Sequence, residues 1–176
     1  MKLEKFIQPW TGFALRHIPD GNEVLDFSFC GLSTENRWNV PGESTLYLAA
    51  SKQVAVGEYS RHYKESRVQG LIKKTQKRSF WQLELELNRT IDLCNPAVYS
   101  HFPNAPDEFK NIKTARSIAS FLRNAFQLEA MFVPSMVFLD DLSKWCLVIF
   151  LENLYPDLGR FILNAEKIGF FEIGCT

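Results

Sequence analysis

The sequence predicts an α+β domain with a largely antiparallel or split sheet. About six to eight short segments have the composition or alternation of strands, and two longer segments repeat apolar residues at helical spacing. The βαβα order of a Rossmann fold is absent, as are the phosphate-binding motifs G-x-G-x-x-G and G-x-x-x-x-G-K-[ST]. With 176 residues, 46% of them hydrophobic, the chain can bury one sizeable core, so we expect one domain.

The first part of the chain predicts a strand, an extended segment, a loop, a buried strand and a helix. In order, these are GFALRHI (12–18), EVLDFSFCGL (23–32), the Pro/Gly-containing stretch 33–44, TLYLAA (45–50) and KQVAVGEYSRHYKES (52–66). Ser51 is a good N-cap for the helix. Glu58 falls on the same helical face as Val54 and Ala55, and a carboxylate on an inward face requires a partner.

The second part predicts one clear strand, one helix and three short strands. In order, these are a basic loop (70–79), the alternating FWQLELELN (80–88), a turn-rich stretch (94–109), a helix, and the strands AMFVPS (130–135), KWCLVIFL (144–151) and RFILNAE (160–166). We expect Thr114 to cap the helix, because apolar residues then recur at i, i+3, i+4, i+7 and i+8 from Ile118.

Composition excludes several classes of function. Lys and Arg together number 20, as do Asp and Glu, so no global attraction to nucleic acid or to an anionic membrane is implied. Four cysteines lie far apart without C-x-x-C spacing, which argues against a zinc site or a redox dithiol. The longest apolar run, WCLVIFL (145–151), is too short to cross a bilayer, and we expect a cytoplasmic protein.

Four polar residues could carry chemistry, and each also has an ordinary structural interpretation. Arg37 suits a pyrophosphate or is a loop arginine, and Tyr47 packs on a flat heterocycle or is a core tyrosine. Glu58 stabilises charge at an anomeric carbon or pairs with a nearby arginine. Ser135 has the structural interpretation of a turn residue that bonds its own backbone, and it lacks a G-x-S-x-G elbow, so it is not expected to be a nucleophile. The three histidines, which have no metal-ligand spacing, are expected at the surface or satisfied in the core.

The order of these residues resembles the RES-domain family, named for an arginine, a glutamate and a serine. The family has an R-W-N-x-x-G element, which Arg37-Trp38-Asn39 with Gly42 matches. Its L-Y-x-A strand is matched by Leu46-Tyr47 with Ala49, and its A-x-x-E helix by Ala55 with Glu58. The signature serine is matched by Ser135 in MFVPSM. The resemblance is strongest over 12–150 and makes 1–176 a single RES domain. Many members carry glycines where this chain has Glu35 and Asn36.

The resemblance implies an ADP-ribosyltransferase-like fold, with a split, mainly antiparallel sheet flanked by helices. It also implies an NAD-cleaving toxin that acts by phosphorolysis, with inorganic phosphate as co-substrate, or by hydrolysis, and that needs no metal. The alternatives are ADP-ribosylation of a protein and an inactive partner-binding module. The implied site is Arg37, Trp38, Asn39, Tyr47, Glu58 and Ser135, with Arg37 on the phosphates, Tyr47 at the nicotinamide and Glu58 at its ribose. The implied partner is an Xre-type helix-turn-helix antitoxin, a homodimer is left open, and no direct contact with nucleic acid or membrane is expected.

Overall fold

The computed structural model describes residues 3–65, 76–157 and 159–173, and the side chains of 63–65 are outside that description. The described residues form six strands: β1 (Gln8–Pro19), β2 (Thr45–Ala49), β3 (Gln76–Asp92), β4 (Ala130–Pro134), β5 (Trp145–Phe150) and β6 (Ile162–Ile173). They also form three helices: α1 (Lys52–Glu65), α2 (Pro96–Tyr99) and α3 (Ile112–Phe126). Single 3₁₀ turns span Glu4–Phe6, Asp107–Lys110 and Leu151–Leu154.

The strands close into a ring. Their order is β1-β2-β5-β4-β3, and β3 pairs again with β1, while β6 lies on β3 outside this ring. The pairing of β3 with β4 is parallel and the other described pairings are antiparallel, so the predicted α+β class and mainly antiparallel sheet agree with the structure.

The predicted split sheet does not describe this closed arrangement. Strand β3 is 17 residues long and pairs with β1 along most of its length. Its other edge pairs with β6 from Gln76 to Leu85 and with β4 from Thr90 to Asp92. One long strand therefore joins both ends of the ring, and the sheet stays continuous.

Apolar alternation builds the core on the two faces of the strands. Leu83, Leu85 and Leu87 of β3 are fully buried on one face, as the alternating pattern predicted. On the other face, Leu122 of α3 belongs to the same apolar cluster as Met131 of β4. The apolar face of helix α3 thereby packs on β4 and β5 at the outside of the ring, and this packing determines the orientation of the helix.

Most predicted helices and strands occur, and the local differences have physical causes. The Ser51 cap is confirmed, since its Oγ accepts a hydrogen bond from the Val54 amide at 3.3 Å. The expected Thr114 cap is wrong, because Asn111 Oδ1 accepts from the amides of Lys113 and Thr114 at 3.0 and 3.4 Å and starts α3 earlier.

Two predicted segments differ more. Residues 23–32 form turns and irregular structure, so the predicted strand or extended segment is wrong there. Arg16 donates to the carbonyls of Val24 and Asp26 and so occupies groups that a strand would use. Of the predicted basic loop, 76–79 lie in β3, whereas 70–75 are outside the described residues.

Candidate functional site

A cavity of about 590 Å³ opens where β1 and β2 separate. The ladder between these strands contains one residue pair, Leu15 with Ala49, although both strands continue beyond it. The walls come from β1, the loop 34–38, β2, α1 and the β4–β5 region. A concave space of this size suits a small molecule or a nucleotide.

Arg37 lies on the cavity wall and is anchored at its far end. Its Nη1 donates to the carbonyl of Phe109 at 3.1 Å and also to the carbonyl of Lys110. These carbonyls end the 3₁₀ turn that precedes α3. The guanidinium is thus held in place as a fixed positive charge beside the cavity.

Two arginines of α3 hold the loop that carries Arg37. Arg116 donates to the carbonyl of Asn36 from Nε at 3.0 Å and from Nη2 at 2.7 Å, and to the carbonyl of Thr34 at 2.7 Å. The buried Arg123 pairs with Glu43, whose Oε2 accepts from the Val40 amide at 2.9 Å. Sequence reasoning missed both arginines, since only the packing of α3 brings them to the loop.

Tyr47 joins β2 to the same loop through its hydroxyl. The hydroxyl accepts from the Trp38 amide at 3.1 Å and donates to Asn39 Oδ1 at 2.7 Å. Burial raises the pKa of the Tyr47 phenol well above its usual value, although the hydrogen bond from the Trp38 amide opposes the rise. Tyr47 and Trp38 line the cavity, whereas Asn39 is buried behind them at 1% exposure.

Glu58 and Ser135 meet although 77 positions separate them. Ser135 Oγ donates to Glu58 Oε1 at 2.6 Å, and the Val137 amide donates to the same oxygen at 3.3 Å. The other oxygen accepts from Arg61 Nη2 at 3.0 Å and Nε at 3.3 Å. Ser135 is fully buried, so it orients the Glu58 carboxylate from behind the cavity wall.

The cavity rim is bridged by a residue pair. His62 Nε2 of α1 lies 3.7 Å from Glu35 Oε2 of the loop, and both side chains are exposed to solvent. Exposed pairs of this kind contribute little to stability.

His17 on β1 also lines the cavity, whereas the sequence predicted only a surface histidine or one satisfied in the core. Its Nδ1 accepts from Arg78 Nε at 2.8 Å, and its ring lies edge-on to Tyr59 with centroids 5.0 Å apart. Enclosure by protein, followed by the charges of Arg78 and Arg16, lowers the pKa of His17 to about 3. Alternation along β1 pairs it with Leu15 on one face, but no sequence signal places a cavity there.

The described residues contain no group of three or more His, Cys, Asp or Glu side chains arranged to hold a metal ion. Cys30, Cys94 and Cys146 carry free thiols, and burial raises the pKa of each. Among the described helices, none is long and apolar enough to cross a membrane. Arginine, tyrosine, glutamate and histidine side chains are among the polar groups that line the cavity.

The family model described as RES domain matches residues 14–165. This chain belongs to the RES-domain family. The fold of this RES domain is similar to that in the crystal structure of the M. tuberculosis MbcT–MbcA toxin–antitoxin complex, with a TM-score of 0.60 at 13% sequence identity. That match covers 93% of this chain and 87% of the other. No curated protein shows significant similarity to this RES domain.

We predict that Tyr47→Phe destabilises this RES domain by about 1–3 kcal/mol, because it leaves the buried Asn39 Oδ1 without a donor and the Trp38 amide without an acceptor. Urea unfolding measures the change. Tyr155→Phe is the control, since Tyr155 is 62% exposed and its replacement should cost under about 0.5 kcal/mol. Equal stability of the two variants would contradict the assigned role of the hydroxyl.

We also predict that His17 contributes to acid sensitivity. Its folded-state pKa of about 3 lies below the unfolded value of 6.5, so the unfolded chain binds more protons between these pH values. The free energy of unfolding should therefore fall from pH 7 to pH 5, by at most about 2 kcal/mol from this residue. Urea unfolding at both pH values should show a smaller fall in the free energy of unfolding for His17→Gln than for the wild type. The exposed His101→Gln serves as control, and a fall unchanged by His17→Gln would refute the prediction.

Proposed function

We propose that this RES domain cleaves the nicotinamide glycosidic bond of NAD, by phosphorolysis or hydrolysis. One observation carries the proposal: Arg37, Tyr47 and Glu58 come from a loop, a strand and a helix and line one cavity. A dinucleotide presents three parts that these groups suit, namely phosphates, a flat base and a ribose. Membership of the RES family supports the same choice of substrate.

In this proposal Arg37 binds the pyrophosphate. A guanidinium presents its donors in a planar fork that matches two phosphate oxygens. Its anchor on the Phe109 and Lys110 carbonyls keeps the charge at the wall before the ligand arrives. Because the guanidinium is already fixed, little conformational entropy is lost on binding.

Glu58 stabilises the reacting ribose. As the bond between the anomeric carbon and the nicotinamide nitrogen breaks, its electron pair neutralises the pyridinium and positive charge develops on the ribose. A carboxylate positioned beforehand lowers the energy of that charge without reorganising during the reaction. Ser135, the Val137 amide and Arg61 hold Glu58 in one orientation, while Tyr47 packs against the departing nicotinamide.

The second substrate completes the reaction. An oxygen of inorganic phosphate bonds to the anomeric carbon and gives ADP-ribose 1″-phosphate, whereas water gives ADP-ribose and releases one proton. A nucleophilic side chain of a target protein would instead give an ADP-ribosylated product. The proposed chemistry of this RES domain is ADP-ribosyltransferase-like, although its sheet closes into a ring.

The proposed biological role is that of a cytoplasmic toxin. Depletion of NAD harms its own cell, so a neutralising protein is required, and we propose an antitoxin of the Xre helix-turn-helix type. The similar fold in a toxin–antitoxin complex supports such a partner. A homodimer is compatible with the same chemistry.

We predict that the purified protein releases nicotinamide from NAD. Glu58→Gln and Arg37→Lys should each slow this release about 100- to 1,000-fold, because Glu58→Gln removes the negative charge and Arg37→Lys removes the planar pair of donors that stabilise the transition state. Chromatography with and without phosphate identifies the products. Glu86→Gln is the matched control, since Glu86 is exposed on β3 outside the cavity lining.

The products separate the competing functions. ADP-ribose 1″-phosphate indicates phosphorolysis, ADP-ribose indicates hydrolysis, and label retained on a protein indicates ADP-ribosylation. Folded wild-type protein that releases no nicotinamide under any of these conditions favours the partner-binding module and overturns the proposal.

We further predict that expression in a bacterial host lowers cellular NAD and arrests growth. Glu58→Gln, expressed to the same level, should restore both growth and NAD, because the carboxylate acts on the ribose rather than on a partner surface. Enzymatic assay of NAD in extracts and growth curves measure the effect. Arrest that persists with folded Glu58→Gln would show that NAD cleavage is not its cause.

A further inference from the structure

His17 and Leu15 stand two residues apart on β1 and both line the cavity. The only β1–β2 register pair joins Leu15 to Ala49, and continuing that register would set His17 opposite Tyr47. No ladder pair forms at His17 and Tyr47, and both residues face the cavity instead. His17 is therefore a polar group inside the opening between the strands.

Arg78 fixes the chemical state of this imidazole. Arg78 Nε donates to Nδ1 at 2.8 Å, and its Nη2 donates to the His17 carbonyl at 3.4 Å. The guanidinium also lies over the Tyr59 ring, 4.5 Å from its centroid, which holds it in place. An arginine has no acceptor and does not lose its proton, so Nδ1 must offer a lone pair.

The tautomer follows from that bond. A neutral imidazole that accepts at Nδ1 carries its proton at Nε2 and can only donate from that atom. His17 is consequently unsuited to remove a proton from an attacking water. It is suited to recognise an oxygen that accepts a hydrogen bond.

The surroundings indicate which kind of acceptor fits. Leu15, Ala49 and Ala55 contribute apolar surface to the same cavity, while the anchored charge of Arg37 is held against the turn before α3. His17 instead contacts Tyr59 and Phe171, with centroids 5.0 and 5.6 Å away, so it stands on a different wall from Arg37. Neither Arg78 nor Arg16, the cations near His17, belongs to the cavity lining, so His17 presents a neutral donor to the cavity, and a neutral donor matches an uncharged oxygen.

We propose that His17 is a specificity-determining residue whose Nε2–H donates a hydrogen bond to an uncharged oxygen of the bound nucleotide, either the nicotinamide carboxamide or a ribose. This inference rests on the proposed function for the identity of the ligand. Arg78 is the positioning residue, because it fixes the tautomer and the ring without lining the cavity.

Two substitutions separate ligand recognition from a purely structural role. In His17→Asn the amide oxygen occupies the place of Nδ1 and can still accept from Arg78, but no donor reaches the place of Nε2. In His17→Gln the amide nitrogen reaches the place of Nε2, but the acceptor for Arg78 is lost. If His17 recognises the ligand, the His17→Asn variant should bind NAD poorly and the His17→Gln variant should bind it well. If His17 has only a structural role, the order of the two variants should be reversed.

The experiment measures KM and kcat for NAD, together with calorimetric Kd values for nicotinamide and for ADP-ribose. We expect His17→Asn to raise KM about 10- to 100-fold, as the loss of one buried hydrogen bond implies, and His17→Gln to recover most of this loss. A weaker Kd for nicotinamide assigns the acceptor to the carboxamide, and a weaker Kd for ADP-ribose assigns it to a ribose. His17→Asn that matches the wild type, or His17→Gln that is the weaker of the two, would overturn the proposal.

A measurement on the unmutated protein guards against misfolded variants. The chain has three histidines, so nitrogen-15 spectra of histidine-labelled protein are simple. His17 should show the Nε2-protonated tautomer, and its Nε2 signal should shift on addition of nicotinamide or ADP-ribose. An Nδ1-protonated signal, or no shift with ligand bound, overturns the role of His17. Wild type that neither binds nor cleaves NAD overturns the proposed function itself, and with it NAD as the ligand of His17.

Discussion

The backbone ladder between β1 and β2 contains a single residue pair, and the candidate site depends on this constraint. Leu15 and Ala49 form that pair, and β3 closes the ring on the other edge of β1. A full ladder at this point would place Tyr47 and His17 in register and fill the space with backbone hydrogen bonds. The fold instead leaves the strands apart and encloses the opening with α1 and the loop 34–38.

A carboxylate inside such an opening needs partners, and the chain supplies them from distant segments. Glu58 is bound by Ser135 and the Val137 amide at one oxygen and by Arg61 at the other. These hydrogen bonds restrict the rotation of the Glu58 carboxylate, so that it is positioned before a positive charge develops beside it. The polar residues of the site thus depend on one another more than on the surrounding core.

Local patterns predicted much of the fold, and the family resemblance named Arg37, Tyr47 and Glu58, which line one cavity in the structure. The helical face that holds Glu58 and the alternating leucines of β3 were both readable, because their periodicity is local. The closed ring could not be predicted from the sequence, since the pairing of β1 with β3 that closes it depends on long-range register. The sequence did not place His17 at a cavity or Arg116 on the loop for the same reason, because their contacts are with segments that are distant in sequence.

The geometry of helix α3 limits which insertions and deletions this chain can tolerate. Arg116 and Arg123 lie seven residues apart, two helical turns, and both reach the loop 34–43 from one face. Insertion or deletion of one residue between them would rotate one guanidinium by about 100° relative to the other and break one of the two attachments. Changes of length within α3 are therefore restricted to steps that keep the helical phase, whereas the turns before and after it are not bound by this rule.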